Sequence, residues 1–220
     1  MEPGSRPLTP GYFRLARILQ GLLRLSALLA LAEIGYYVWA VHVLGGWIDE
    51  PSTYVLVTAQ LIDSLSRADA IGTALLLLAT GILFIVWLYR GSRSDRVSRA
   101  WMRRGAGWAI GGWFVPFGNL VLPAQQVHDL YRGAFVGRNE GKPLPGSALL
   151  GWWWAMWLCS GVMSWVALTG RGDPTGDGLQ VLRDIRTTDI VDLVGSVFTL
   201  AAALLAAAVV GRITALLRRP

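Results

Sequence analysis

The chain has 220 residues, is 54% hydrophobic and 15% charged, and has a mean hydropathy of +0.47. Soluble domains carry about 25% charged residues, so a charge-coated globule is excluded. The lone Cys159 excludes an internal disulfide. A net charge of +6 raises the question of nucleic acid, which the distribution of that charge along the chain answers below.

A helix crosses a ~30 Å hydrocarbon core with about 20 apolar residues. The first stretch of that kind is 25–47, interrupted only by Glu33. It is longer than the apolar core of a signal peptide, so retention as a span is expected. An acid in mid-span costs about 2.5–3.5 kcal/mol on insertion scales and is expected to face the bundle interior, a cavity or a partner. Tyr36 and Tyr37 follow at i+3 and i+4, on the same face, and are its predicted hydrogen-bond partners. Glu33 and Tyr37 are therefore candidate ligand-binding residues. The plainer alternative is an interhelical structural hydrogen bond. Arg24 is placed to snorkel from the inner end of this span.

Next, Tyr54, Val57, Leu61, Ile62 and Leu65 repeat at helical spacing and predict a short amphipathic helix capping the outer surface. Stretches 70–89 and 148–169 are span-length and uncharged, and 191–211 carries only Asp192 at its edge. Between the second and third spans, 105–123 is also apolar. Pro116, Gly118, Asn119 and Pro123 crowd its second half, and proline disrupts a continuing helix. A broken helical hairpin at the inner leaflet, within 105–131, is predicted instead of a fifth span. Irregular backbone at that depth must be satisfied by protein or water, a task assigned to Asn119, Gln125 and Gln126. The break is the expected wall of a binding pocket, with Trp113, Pro116, Asn119 and Gln125 as candidates; the plainer reading is a purely structural break.

On the third span, Trp153 and Trp157 lie four residues apart on a stripe continued by Ser160 and Ser164. They are candidates for an aromatic pocket wall, against the alternative of a packing seam. Trp47, Trp87 and Trp152 lie near span ends, where tryptophan anchors the interface. On the fourth span, Gly195, Thr199, Ala203, Ala207 and Gly211 form a small-residue ridge that favours close helix approach. Residues 170–178 read as a turn-rich loop, and its RGD string at 171–173 as a chance tripeptide.

Orientation follows from the basic residues. Segments 1–24, 90–147 and 212–220 hold sixteen Lys/Arg, against four in 48–69 and 170–190. The positive-inside rule places the first group, with both termini, in the cytoplasm. Anionic lipid headgroups are its expected contacts, with no nucleic acid. Only Lys142 among the 20 basic residues is lysine, a bias that suggests a high-GC bacterial genome and hence the bacterial cytoplasmic membrane.

The runs WLYR at 87–90, GWAIGGWFVPFGNLVLPAQQVHDLY at 107–131 and GWWWAMW at 151–157 resemble an actinobacterial family of membrane domains of unknown function. Trp113, Phe114, Pro116, Asn119, Leu120, Pro123 and Gln125 match its middle motif, and the resemblance covers roughly residues 70–210. The chain departs from the family's pattern with Ser94, where Asn is usual. Leu122 and Ala124 flank Pro123 where the family favours R-P-Y. The resemblance implies a multi-pass membrane fold and no activity.

The expected fold is all-α and polytopic, a single domain over 1–220 with four transmembrane helices plus the broken hairpin. No catalytic motif occurs. His42 and His128 lie in opposite halves of the predicted bundle, so no metal or other cofactor is expected. His128–Asp129 is read as a solvated helical pair. The expected function is a non-enzymatic module binding a lipid, small ligand or partner protein, or assembling as a homo-oligomer. The alternative is a small transporter or channel subunit with Glu33 as its coupling acid.

Overall fold

The structure is a computed structural model describing residues 7–139, 146–170, 172 and 177–218. Among these the regular elements are helices: α1 (Pro10–Asp49), α2 (Leu56–Ser92), α3 (Trp108–Gly111), α4 (Leu122–Arg138), α5 (Ala148–Thr169) and α6 (Gly178–Leu217), with short 3₁₀ turns at Pro51–Thr53, Arg99–Trp101 and Gly118–Leu120. The loop expected at 170–178, with its RGD string, lies largely outside the described residues, as do Glu140 and Lys142.

Three helices, α1, α2 and α6, are long and apolar enough to cross a membrane. Each extends well beyond its apolar stretch. Forty residues of α-helix measure about 60 Å, twice the hydrocarbon thickness. Helix-compatible polar residues continue the backbone hydrogen bonding, so hydropathy marks only part of each helix. The separate amphipathic helix expected around 54–65 is accordingly the start of α2, which runs unbroken from Leu56. Proline at Pro10 opens α1, where a missing amide costs nothing. From Tyr12 to Trp47, α1 buries a residue at nearly every third or fourth position. This is the seam of a closely packed helix, and Glu33 lies in it.

The chain divides into two compact units, one of Met1–Arg24, Leu78–Trp154 and Ala203–Pro220, the other of Leu25–Leu77 and Ala155–Ala202. They are called here the basic and the acidic unit.

In the acidic unit Leu44, Trp47 and Ile62 form a buried cluster, with Val43, Ala59 and Leu182 packed on it. The upstream end of the α6 ridge meets α5 closely: a Cβ on Gly195 would stand 3.2 Å from that of Met163.

The basic unit is built on aromatics. Phe84 packs against Trp87 and Trp153 (centroids 5.5 Å apart in each case) and against Trp113 at 6.2 Å. Trp87 is fully buried, and its indole N–H donates to Thr214 at 3.2 Å. The expectation of interfacial anchors therefore fails for Trp47 and Trp87, which packing claims, whereas Trp152 is 62% exposed. Here the α6 ridge faces α1, where a Cβ on Gly211 would meet the Gln20 side chain at 3.1 Å. Thus both ends of the ridge find partners within this chain.

The segment joining α2 to α4 is pinned by arginine and glycine. Arg96 donates to the Leu217 carbonyl and Arg138 to the Ala215 carbonyl, both at 2.6 Å. These bonds cap the carbonyl end of α6, which has no basic residue in its own last turn. Gly133 and Gly137 let the 96–98 backbone lie directly on α4: any Cβ there would collide with Val97 or with the Arg96 carbonyl.

Candidate functional site

Two groups of side chains stand out, one in each unit. In the acidic unit Glu33 is 9% exposed, and both of its carboxyl oxygens are held by hydroxyls from other helices. Thr73 of α2 donates to Oε1 at 2.8 Å, and Ser196 of α6 donates to Oε2 at 3.0 Å. Asp69, one turn before Thr73, lies beside the Glu33 carboxyl. Two carboxyls can share a hydrogen bond only when one of them carries a proton. Tyr37 closes the group with a long bond, 3.5 Å, to Asp69.

The tyrosines do not bind Glu33 as expected from their spacing. Tyr36 turns to α2, donating to the Ile62 carbonyl at 3.2 Å while its oxygen pairs with Ser66 at 2.6 Å. An i+3 or i+4 tyrosine places its hydroxyl beyond the short reach of a glutamate that two facing helices already hold. The surroundings are acidic: Asp189 is buried with one oxygen lacking a partner among the described residues, and Asp192 is half-buried nearby on α6. Arg186 of this unit lies instead over Gly45, about 18 Å along α1 from Glu33.

In the basic unit the break at 112–121 follows from its residues. Phe117 takes a positive φ of 58°, which a bulky residue rarely adopts. A Cβ on Gly118 would come within 2.8 Å of both Leu122 and Val115. Phe114 and Phe117 are 75% and 86% exposed. Trp113 packs edge-on to Trp154, whose indole N–H donates to the Leu120 carbonyl at 2.8 Å. A tryptophan thus satisfies the break, not the glutamines assigned to it. Gln125 accepts from Arg104 at 2.5 Å and Gln126 donates to Ser92 at 3.3 Å. Pro116 is exposed and Asn119 half-buried. Trp153 is 4% exposed within the aromatic cluster.

Of the eight candidates, Glu33, Tyr37 and Trp157 belong to the acidic unit, and Trp113, Pro116, Asn119, Gln125 and Trp153 to the basic one. The structure brings Glu33 and Tyr37 into one polar group through Asp69. It brings Trp113 and Trp153 into one aromatic group through Phe84. Asp129 is a further correction: far from solvated, it is 2% exposed. It accepts from the Arg103 amide at 3.1 Å and forms an ion pair with the Arg103 guanidinium at 2.9 Å. That hydrogen-bonded partner raises the affinity of Arg103 for its proton. Neighbouring His128 bonds Ser147 at 2.7 Å. Burial, then the charge of Arg132, holds its imidazole below the ordinary value.

A family model described as a domain of unknown function, DUF4328, matches residues 53–215, most of the chain. The chain belongs to this family. No curated protein and no solved structure matches it. The DUF4328 region contains Asp69, Thr73 and Ser196, while Glu33 and Tyr37 lie ahead of it on α1. The carboxyl group of residues therefore joins side chains from inside and outside the family region. Among the described residues no cluster of three metal-ligating side chains occurs.

Sequence reasoning missed Asp69, Thr73 and Ser196. Asp69 stands one residue ahead of an apolar stretch, where an acid reads as a loop residue. Thr73 and Ser196 are hydroxyls with no reason in sequence to face Glu33. The Gly133-x-x-x-Gly137 spacing, by contrast, was available as a close-approach signal.

Proposed function

We propose that this DUF4328 member is a four-span integral membrane protein of the bacterial cytoplasmic membrane. In this reading α1, α2, α5 and α6 cross the bilayer, and both termini and residues 90–147 are cytoplasmic. The span assigned to α5 rests on its 22 residues without an ionisable side chain apart from Cys159. The orientation rests on the sixteen basic residues of those segments. The protein acts without catalysis, as a membrane module whose small ligand is a proton held between Glu33 and Asp69.

The observation that carries this reading is the carboxyl pair itself. Glu33 is buried, fixed by Thr73 and Ser196, and has a second acid, Asp69, beside it. Tyr37 and Glu33 on α1, Asp69 on α2, and Asp189 and Asp192 on α6 are the titratable groups around it. Its neighbours are acids and tyrosine, so a proton is the simplest counter-charge. Trp113, Gln125, Trp153 and Trp157 are assigned to structural support, because each engages neighbouring protein groups.

A second reading, a small transporter or channel subunit coupled through Glu33, is favoured by the same neighbour. An acid beside Glu33 offers a proton a second station, which a lone mid-span acid lacks. The test is the reconstituted chain in vesicles containing a pH-sensitive dye. Under the binding reading the melting temperature of wild type changes with pH differently from that of Glu33→Gln, with no proton flux above empty vesicles. Flux that Glu33→Gln abolishes establishes the transporter. Identical pH–melting profiles with no flux overturn both.

A further inference from the structure

A second polar feature lies wholly within the basic unit and is independent of the carboxyl pair. Where α1 begins and α2 ends there is a cleft of about 490 Å³, lined by residues 7–9, Tyr12, Tyr89, Arg90 and Arg93. Its lining includes two guanidinium groups, a threonine and two tyrosines, and, among the described residues, no acid. Among the described residues neither Arg90 nor Arg93 is paired with a carboxylate.

The groups already in contact leave donors to spare. Arg93 donates from Nη1 to the Tyr89 oxygen at 2.8 Å, with its guanidinium 5.6 Å from the same ring. A guanidinium has five N–H donors in a fixed fork, suited to phosphate oxygens. With its oxygen accepting from Arg93, the Tyr89 hydroxyl keeps its own proton as a further donor. Arg90 is exposed, and its side chain makes no hydrogen bond among the described residues. Tyr12 is 1% exposed, and its hydroxyl, packed over Gly91, finds no partner among the described residues. The first turn of α1 holds no acid to offset the positive end of the helix dipole.

Basic residues at the carbonyl end of α2 have an ordinary role, offsetting its dipole. That role needs neither the cleft nor a lining free of acids among the described residues. We propose that this cleft binds an anionic phosphate group, carried by a lipid headgroup or by a free phosphate ester. Thr9, Tyr89, Arg90 and Arg93 supply the donors.

The test uses the full chain in nanodiscs and native mass spectrometry. One arm adds phosphatidylglycerol to a phosphatidylcholine background; the other adds inorganic phosphate without anionic lipid. Arginine near a membrane surface is worth about fivefold in anion affinity. Arg90→Gln should therefore weaken retention in one arm by about that factor, and Arg90→Gln with Arg93→Gln by more. The arm that responds identifies the source. Arg14→Gln removes an exposed arginine outside the cleft and should leave retention unchanged. An equal loss in Arg14→Gln, or none in Arg90→Gln, overturns the proposal. The Arg90 side chain makes no hydrogen bond or ion pair among the described residues, so its variant keeps the test independent of folding.

Discussion

Buried acids are handled in opposite ways by the two units. In the basic unit Asp129 is shielded from water and met by a full positive charge from Arg103 together with a backbone amide. In the acidic unit Glu33 is almost as deeply buried, yet it is met by two neutral hydroxyls and by another carboxyl. An ion pair of the first kind fixes a loop and holds its charge state. A carboxyl pair stabilised by neutral donors leaves room for a proton to come and go. Under the proposed function, structural electrostatics belong to the basic unit and exchangeable chemistry to the acidic one.

The comparison can be broken first where packing is densest. Trp87→Ala removes a fully buried indole and its bond to Thr214. It should lower stability by about 3–5 kcal/mol, seen as a large fall in melting temperature in detergent. A small fall would show that the aromatic cluster does not organise the basic unit.

Arg103→Gln keeps a polar side chain but leaves Asp129 without its charge partner. The arginine is half exposed, so solvent screens part of the interaction. A loss of about 1–3 kcal/mol is expected, and Asp129→Asn made in the same chain should recover part of it. No recovery would mean that shape, and not charge, holds the 103–129 contact. Thr73→Val removes one of two hydroxyls from Glu33 and should cost about 0.5–1.5 kcal/mol, in the same melting assay.

The smallest effect concerns His128. Its folded value lies below the ordinary one, so the unfolded chain binds more protons as pH falls. Its contribution is flat above about pH 6.5 and becomes increasingly unfavourable below it. His128→Gln should flatten the melting profile between neutral and mildly acid pH. An unchanged slope would assign that region to other groups.

Much of the architecture was legible because apolar stretches long enough to span a bilayer are unambiguous. The bounds of α5 coincide with its apolar stretch, 148–169. Those of α1, α2 and α6 do not, since backbone hydrogen bonding continues where hydropathy stops. Pro116 and Gly118 marked the break, but not the indole of Trp154 that satisfies it. For the candidate site, Glu33 was legible as an acid buried within its helix, and its partners were not. Helical spacing describes neighbours on one helix, whereas Thr73, Asp69 and Ser196 arrive from two others. Such meetings depend on which faces pack together, and that is decided by tertiary structure.

Infrared spectroscopy of the carboxylic C=O stretch tests the carboxyl pair most directly. A protonated-carboxyl component is expected at neutral pH in the wild-type chain in lipid. That component should be lost in Glu33→Gln and equally in Asp69→Asn, because the proton belongs to the pair. A component that persists in both variants, or is missing from the wild type, would contradict a shared proton and return Glu33 to a purely structural role.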